Sequence, residues 1–153
     1  MRKVLIAVAA TLVAASPALA NEGRVEARGG VNWQAGTSEA TAGVAAGYDY
    51  DLGSQAFAGV EVSGDKILNS ANNRMAFGFT GRVGAKVGDA NKLFVAGGYT
   101  TKSCLTCTDG EHLGAGYEHS FGPLYGKVEY RHNFINGGAA DSNTAMAGLG
   151  IKF

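Results

Sequence analysis

The sequence has 153 residues, of which 46% are hydrophobic, 17% are charged and 24 are glycines, and its formal net charge is zero. This length favours a single domain, and the lack of a basic excess argues against a nucleic-acid partner. The hydrophobic content is too high for a disordered chain. No segment after the first 20 residues forms the long apolar run of a membrane-spanning helix.

The first 20 residues have the composition of a secretory signal peptide. Arg2 and Lys3 precede an uncharged apolar run over residues 4–15, and Ala18-Leu19-Ala20 matches a small-x-small cleavage site. A membrane anchor is the alternative, but the run is short for a span of ~20 residues. We expect cleavage after Ala20 and a mature domain over residues 21–153. An exported chain of this kind is either a soluble domain or a transmembrane barrel.

Eight segments of the mature chain alternate between apolar and polar residues. In chain order they cover about 24–33, 41–50, 56–63, 74–87, 93–101, 112–120, 124–134 and 144–153. A period of two predicts strands with one apolar face, and most segments are close to the ~9–11 residues that cross a bilayer. The sequence therefore predicts an all-β fold, an eight-stranded antiparallel transmembrane β-barrel.

The same alternation separates charged residues from apolar ones. One face carries no charge, while the other carries Arg24, Glu26, Arg28, Asp49, Glu61, Arg74, Arg82, Lys86, Glu118, Lys127, Glu129, Arg131 and Lys152. A soluble lipocalin-like barrel would show the same split with its charges outward. The many glycines on the charged face favour a crowded lumen instead, and aromatic residues near the ends of the apolar face favour membrane interfaces.

Several of these segments resemble those of a known family. Ala145, Ala147, Leu149, Ile151 and Phe153 occupy alternate positions and resemble the β-signal of bacterial outer-membrane proteins. The run 125–132 is similar to the penultimate strand of the opacity-type, OmpA/OmpX-like small barrels, with His132 in place of an aromatic residue. The runs 95–100 and 113–118 are similar to that family's glycine-rich strands.

The resemblance implies a location in the outer membrane of a Gram-negative bacterium, with both termini in the periplasm. Leu149, Ile151 and Phe153 would form a C-terminal signal for the barrel-assembly machinery. Periplasmic turns are expected at 51–54, 88–91 and 121–123, and external loops at 34–40, 64–73, 102–110 and 135–143. The expected partners are membrane lipid, lipopolysaccharide and a host or surface ligand at the external loops. We expect a monomer without a cofactor.

Charges on the inner face form the first candidate site. The predicted barrel-interior network contains Glu26, Arg28, Glu61, Arg82, Glu118, Lys127, Glu129 and Arg131. Side chains fill the lumen of an eight-stranded barrel, and buried charges must be paired. The network is interpreted as a plug of ion pairs, and the alternative is a narrow porin-like channel for water, ions or small solutes.

Cys104 and Cys107 form the second candidate site. A thioredoxin-like role requires a βαβ context that this sequence lacks. A zinc site requires about four ligands, and His112 is the only obvious addition nearby. Export into an oxidising compartment favours a local disulfide in the third external loop, with free thiols or a metal site as the alternative.

His132 is the remaining candidate, because lipid A deacylases of similar size use a His followed two residues later by a Ser. Here Phe134 stands at the nucleophile position, so an interfacial histidine is favoured. We therefore predict a non-enzymatic outer-membrane barrel with a structural or surface-contact, adhesin-like role. A narrow channel is the alternative, and a lipid-modifying enzyme ranks below it.

Overall fold

A computed structural model describes residues 21–68, 74–104, 107–138 and 140–153. The predicted signal peptide lies outside them. The strands are β1 (Glu22–Gln34), β2 (Thr37–Asp51), β3 (Ala56–Ile67), β4 (Ala76–Val87), β5 (Asn91–Thr100), β6 (Gly110–Phe121), β7 (Leu124–Ile135) and β8 (Ser142–Lys152), with a 3₁₀ turn at Asn136–Gly138. Within the described residues, no helix is long and apolar enough to span a membrane.

The eight strands form one closed antiparallel barrel, in which each strand pairs with the next and β1 pairs with β8. The predicted fold class is therefore confirmed. The stagger of the strands follows from the paired residues. Starting at Arg24, they run through Gly47, Glu61, Thr80, Gly98, His112, Asn133 and Ser142, and return to β1 at Gln34. This displacement along β1 tilts the strands by about 40° from the barrel axis.

Apart from the two-residue connection 35–36, the connections at one end of the barrel are longer than those at the other. The turn end holds both described termini and the short connections 52–55, 88–90 and 122–123. The loop end holds the connections 35–36, 68–75, 101–109 and 136–141, of which residues 69–73, 105–106 and 139 lie outside the described part. Short turns at one end and longer loops at the other are typical of outer-membrane barrels.

The prediction of an external loop over residues 34–40 is wrong. Ala35 and Gly36 form a two-residue turn with φ angles of 48° and 85°, which is the geometry of a type I′ hairpin. β2 therefore begins at Thr37, and Thr37 pairs with Gln34. β3 also extends to Ile67, so residues 64–67 belong to a strand and not to the predicted loop. Hydrogen bonding between neighbouring strands outweighs the polar character of these residues.

The barrel is apolar outside and charged inside. Large apolar side chains on the outer face are half exposed, for example Phe79 at 57% and Leu113 at 59%. Among the described residues, the buried apolar cluster contains only Phe57, Phe94 and Ala96. A soluble protein would bury its apolar face, so this inverted arrangement suits a hydrocarbon environment.

Aromatic and histidine side chains cluster near both rims of the outer face. His119 packs against Phe121 at the turn end, and His132 packs against Phe134 at the loop end, with ring centroids 4.4 and 4.6 Å apart. Trp33 lies 6.1 Å from Tyr130, close to the same loop-end rim. Such rings favour the interfaces between a bilayer and water.

Inward glycines make room for the large interior side chains. A methyl group added at Gly84 would lie 2.8 Å from atoms of Phe57 and of Phe94, and one added at Gly116 would collide with the Phe94 ring. At Gly150 it would meet the ring of Tyr125. The glycine content of the charged face therefore reflects packing within the lumen.

Gly116→Ala is expected to lower the free energy of unfolding by about 1–3 kcal/mol, because a crowded interior resists added atoms. The new methyl group would also lie 2.8 Å from the backbone oxygen of Val128, which the closed sheet holds in place. Gly97→Ala is the matched control. Its methyl group would approach no described atom closer than 3.5 Å, so little change is expected. Urea unfolding of the folded protein in lipid vesicles measures both, and equal losses would contradict this account.

Candidate functional site

Charged side chains fill the lumen from the turn end to a level below the loop end. Among the described residues, seven basic and seven acidic side chains form ion pairs there: Arg24, Arg28, Arg82, Lys92, Lys127, Arg131 and Lys152 with Glu22, Glu26, Asp49, Glu61, Asp65, Glu118 and Glu129. The interior is therefore neutral as a whole. Most of these groups are almost fully buried, so each depends on its partners to replace lost hydration.

Glu61 is the centre of this network. Its carboxylate oxygens lie 2.8 Å from a nitrogen of Arg24, 2.8 Å from Arg28, 3.2 Å from Lys127 and 3.2 Å from Arg131. The side chain of Glu61 is only 2% exposed. One carboxylate thus links cations from β1 and β7 across the barrel interior.

A second group of contacts surrounds Lys127 on the same level. Its ammonium lies 2.6 Å from Glu26 and 3.4 Å from Glu129. Glu26 also accepts a hydrogen bond of 2.9 Å from the Tyr125 hydroxyl, and Glu129 pairs with Arg131. These contacts balance the positive charges that surround Glu61.

The turn end is closed by a separate layer of pairs. Lys92 lies 2.7 Å from Glu22 and 3.0 Å from Asp49, and Lys152 lies 2.6 Å from Glu118 and 3.1 Å from Glu22. Lys152 also donates a hydrogen bond of 2.9 Å to the Ser120 hydroxyl. These pairs connect β1, β2, β5, β6 and β8.

Arg82 connects this layer to the aromatic core. Its guanidinium pairs with Asp49 and lies 3.0 Å from Glu118. It also lies 5.2 Å from the centre of the Phe57 ring and 5.0 Å from that of Phe94. Two aromatic faces at these distances stabilise a buried cation, so the interior aromatics support the ion pairs as well as filling space.

All eight charges of the predicted network face the lumen and are buried. Sequence reasoning omitted Lys92, Asp65 and Glu22, although each continues the inward alternation of its strand by one step beyond the predicted end.

The prediction that Arg74 faces inward is wrong. This residue precedes β4 and is exposed, because β4 begins only at Ala76. Lys86 is only partly buried, and it pairs with Asp51 near the turn end.

Uncharged polar groups replace the ion pairs towards the loop end. His112 is buried between two hydroxyls, with Nε2 3.0 Å from Thr80 Oγ1 and Nδ1 3.1 Å from Thr100 Oγ1. Further up, the Asn32 and Asn133 amides each donate to the hydroxyls of Ser142 and Thr144, at 2.9–3.3 Å. The lumen is therefore charged over its lower part and neutral near the loops.

The loops at this end are joined to one another. The backbone NH of Arg74 donates to the carbonyl of Ser103 at 2.8 Å, and the Thr108 hydroxyl donates to the carbonyl of Asn136 at 2.7 Å. Cys104 and Cys107 form a disulfide within the loop between β5 and β6. The cross-link closes a very short loop, so little stabilisation is expected from it. Their oxidation in the cell stays a prediction, which two alkylatable thiols in the unreduced protein would contradict.

His132 lies on the outer face at the loop-end rim. Its Nδ1 lies 2.9 Å from Asn143 Oδ1, and its Nε2 lies 3.5 Å from Asp141. Phe134, which occupies the nucleophile position of the deacylase comparison, packs against the His132 ring. Within the described residues, no group of three His, Cys, Asp or Glu side chains is placed to hold a metal ion.

The C-terminal strand completes the barrel by pairing with β1. Leu149, Ile151 and Phe153 all lie on the outer face, and they are 74%, 48% and 77% exposed. The backbone of Phe153 exchanges two hydrogen bonds with Gly23, at 2.8 and 2.9 Å. The predicted assembly signal thus forms an apolar strip beside the seam where the barrel closes.

Comparisons with solved structures identify this architecture. The N-terminal barrel of Pseudomonas aeruginosa OprF matches with a TM-score of 0.61 and 14% identity, covering 85% of this chain and 97% of that one. Neisserial surface protein A gives 0.58, and Ail, the attachment invasion locus protein of Yersinia pestis, gives 0.57. Both are 12% identical, and each match covers 87% of this chain and 97% of the other. No family model and no curated protein matches the sequence. The fold is that of the small outer-membrane barrels that the sequence resembles.

Proposed function

We propose that this protein is a non-enzymatic barrel of the Gram-negative outer membrane, with a closed lumen and a structural or surface-contact role at its loop end. The observation that carries the proposal is the neutral network of ion pairs across the lumen. Moving an ion through it would require separating buried charges, at a cost of several kcal/mol for each ion left without partners. The lumen is therefore a rigid support, and contact with other molecules takes place at the loop end.

The apolar exterior supports the membrane location. Its half-exposed aliphatic side chains lie between two aromatic rims, which is the arrangement of strands in a bilayer. Membrane lipid and lipopolysaccharide are the partners of this surface in the proposal. The barrel-assembly machinery would recognise the C-terminal strand through Leu149, Ile151 and Phe153, after removal of residues 1–20.

The joined loops support a contact role. Two proteins of the same fold are named for the cell surface or for attachment, Neisserial surface protein A and the attachment invasion locus protein. In this chain, the disulfide and the bonds between loops limit the freedom of the loop end. A preordered surface loses less conformational entropy on binding.

A conductance measurement tests the closed lumen. The purified protein, inserted into planar bilayers, is expected to give no stable single-channel steps. Heat-modifiable migration on gels, measured on the same preparation, serves as the control for a folded barrel. Reproducible steps from folded protein would overturn the closed lumen in favour of a narrow channel. Recovery in the soluble periplasmic fraction, rather than with the outer membrane, would overturn the location.

A further inference from the structure

A cavity of about 490 Å³ opens at the loop end above the ion pairs. We call it the vestibule. Its described lining comes from the upper ends of the strands and from the loop residues Thr101, Ser103, Cys107, Thr108 and Gly137. Pockets of this size accommodate small organic ligands. Because the strand residues of this lining belong to the closed sheet, that part of the wall is rigid.

Most polar groups of the vestibule are hydroxyls and amides. Its lining includes Asn32, Asn133, Ser142, Thr144, Thr41 and Thr100. A hydroxyl can donate and accept at once, and an amide offers both an acceptor oxygen and two donors. Ser142 and Thr144 already accept from both asparagines. Their own protons therefore remain available as donors, and the amides are held in fixed positions.

Apolar side chains lie between these polar groups. Ile67, Ile135 and Met146 contribute aliphatic surface to the same cavity. A ligand that matches this lining has hydroxyls around its edge and C–H groups on its faces. Sugars have this distribution, whereas a purely apolar ligand would offer no acceptor to the protons of the Ser142 and Thr144 hydroxyls.

The charges of the vestibule argue against an anionic ligand. Arg131 is the only basic side chain among the described lining residues, and it already pairs with Glu129 and Glu61. Asp65 is bound to Arg28 at the floor. A sulfated or phosphorylated ligand would therefore find no unpaired cation among the described lining residues.

We propose that the vestibule binds a neutral sugar, either free or at the end of a glycan chain. The hydroxyls of the sugar exchange hydrogen bonds with the amides and hydroxyls of the upper lumen, while its C–H faces contact the aliphatic residues of the vestibule. This inference rests on the proposed surface-contact role, because that role exposes the loop end to the outside of the cell. It adds the chemical class of ligand that the surface accepts.

Saturation-transfer NMR on the full mature chain tests this, in a detergent or nanodisc without sugar headgroups. The probes are sucrose, dextran, sucrose octasulfate and alanyl-alanine. Saturation transfer to sucrose supports a free sugar, and transfer to dextran supports the end of a glycan chain. Transfer to neither neutral probe, or stronger binding of sucrose octasulfate or alanyl-alanine, would overturn the proposal.

Paired variants locate the binding. Thr144→Val removes one hydroxyl at nearly constant volume. We expect it to weaken sugar binding at least about fivefold, which is the loss of one hydrogen bond, because the same hydroxyl also holds the amides of Asn32 and Asn133. Thr80→Val is the matched control, because Thr80 lies below the vestibule beside His112. If Thr144→Val does not fold, Thr108→Trp at the exposed mouth should block binding, with exposed Lys102→Trp as its control. Unchanged binding in Thr144→Val or Thr108→Trp would overturn the assignment to the vestibule.

The binding and conductance measurements fail independently. A barrel that conducts ions but still binds sucrose would overturn the closed lumen and leave the sugar site intact. A barrel that neither conducts nor binds a neutral sugar would overturn the sugar site and leave the closed lumen intact.

Discussion

Glu61→Gln is expected to lower the free energy of unfolding by about 3–5 kcal/mol, the range for removing one partner of a buried ion pair. The substitution keeps the shape of the side chain and removes only its charge. Arg24, Arg28, Lys127 and Arg131 would then share the carboxylates that remain. Among the described residues, Asp49 would be the only carboxylate left within ion-pair distance of Arg24, at 3.7 Å. Urea unfolding in lipid vesicles, followed by the fluorescence of the single tryptophan, Trp33, measures the loss.

Two controls separate this effect from a general sensitivity to substitution. Glu111→Gln makes the same chemical change at an exposed position and should alter stability by no more than about 0.5 kcal/mol. Adding Arg24→Met to Glu61→Gln restores the balance of charges and should recover part of the loss, as coupled residues do. If Glu61→Gln unfolds at the same urea concentration as the native protein, the plug of ion pairs does not support the barrel.

The strand number and the two faces could be predicted because both follow from a period of two. A tilted strand across a bilayer must alternate between lipid and lumen. Glu61, Arg82 and Lys127 each stand between uncharged neighbours that belong to the opposite face of the strand. These charges therefore identify the inward face of β3, β4 and β7. The closed sheet then follows from the need to pair every backbone group in hydrocarbon.

The strand ends could not be predicted in the same way, because the alternation is weak where strands leave the membrane. Thr37 and Lys66 are polar residues of the kind found in loops, yet both lie in strands. Asp65 was missed for this reason, although it contacts Arg28. Extending the alternation of β3 from Glu61 by two further steps would have identified it.

The partners within the lumen were also beyond sequence reasoning. Pairing between Glu61 and Arg131 depends on the stagger of the strands around the barrel, which a single sequence does not contain. The vestibule depends on the same stagger, because Asn32 and Asn133 meet only after β1 and β7 both pair with β8. The composition of the inner face was therefore predictable, whereas the central position of Glu61 in the ion-pair network and the presence of the vestibule were not.

Val83→Arg tests the environment of the outer face, and it is expected to cause the second large loss of stability. Val83 lies near the middle of β4, faces outward and is 53% exposed. An arginine at the middle of a bilayer costs about 2–4 kcal/mol, falling to about 0–1 kcal/mol near the interface. In water, the same substitution at an exposed position would change stability little. We therefore expect a marked fall in the urea midpoint of the protein folded in lipid vesicles.

Val87→Arg is the matched control, since it lies on the same face of the same strand, beside the turn at 88–90, and is 49% exposed. The two positions differ mainly in depth, being separated by about 13 Å along the strand. A large loss at Val83 with a small loss at Val87 requires an apolar medium around the middle of the barrel. Equal and small losses at both positions would mean that water surrounds the outer face, and the lipocalin-like arrangement of charges would then have to be reconsidered.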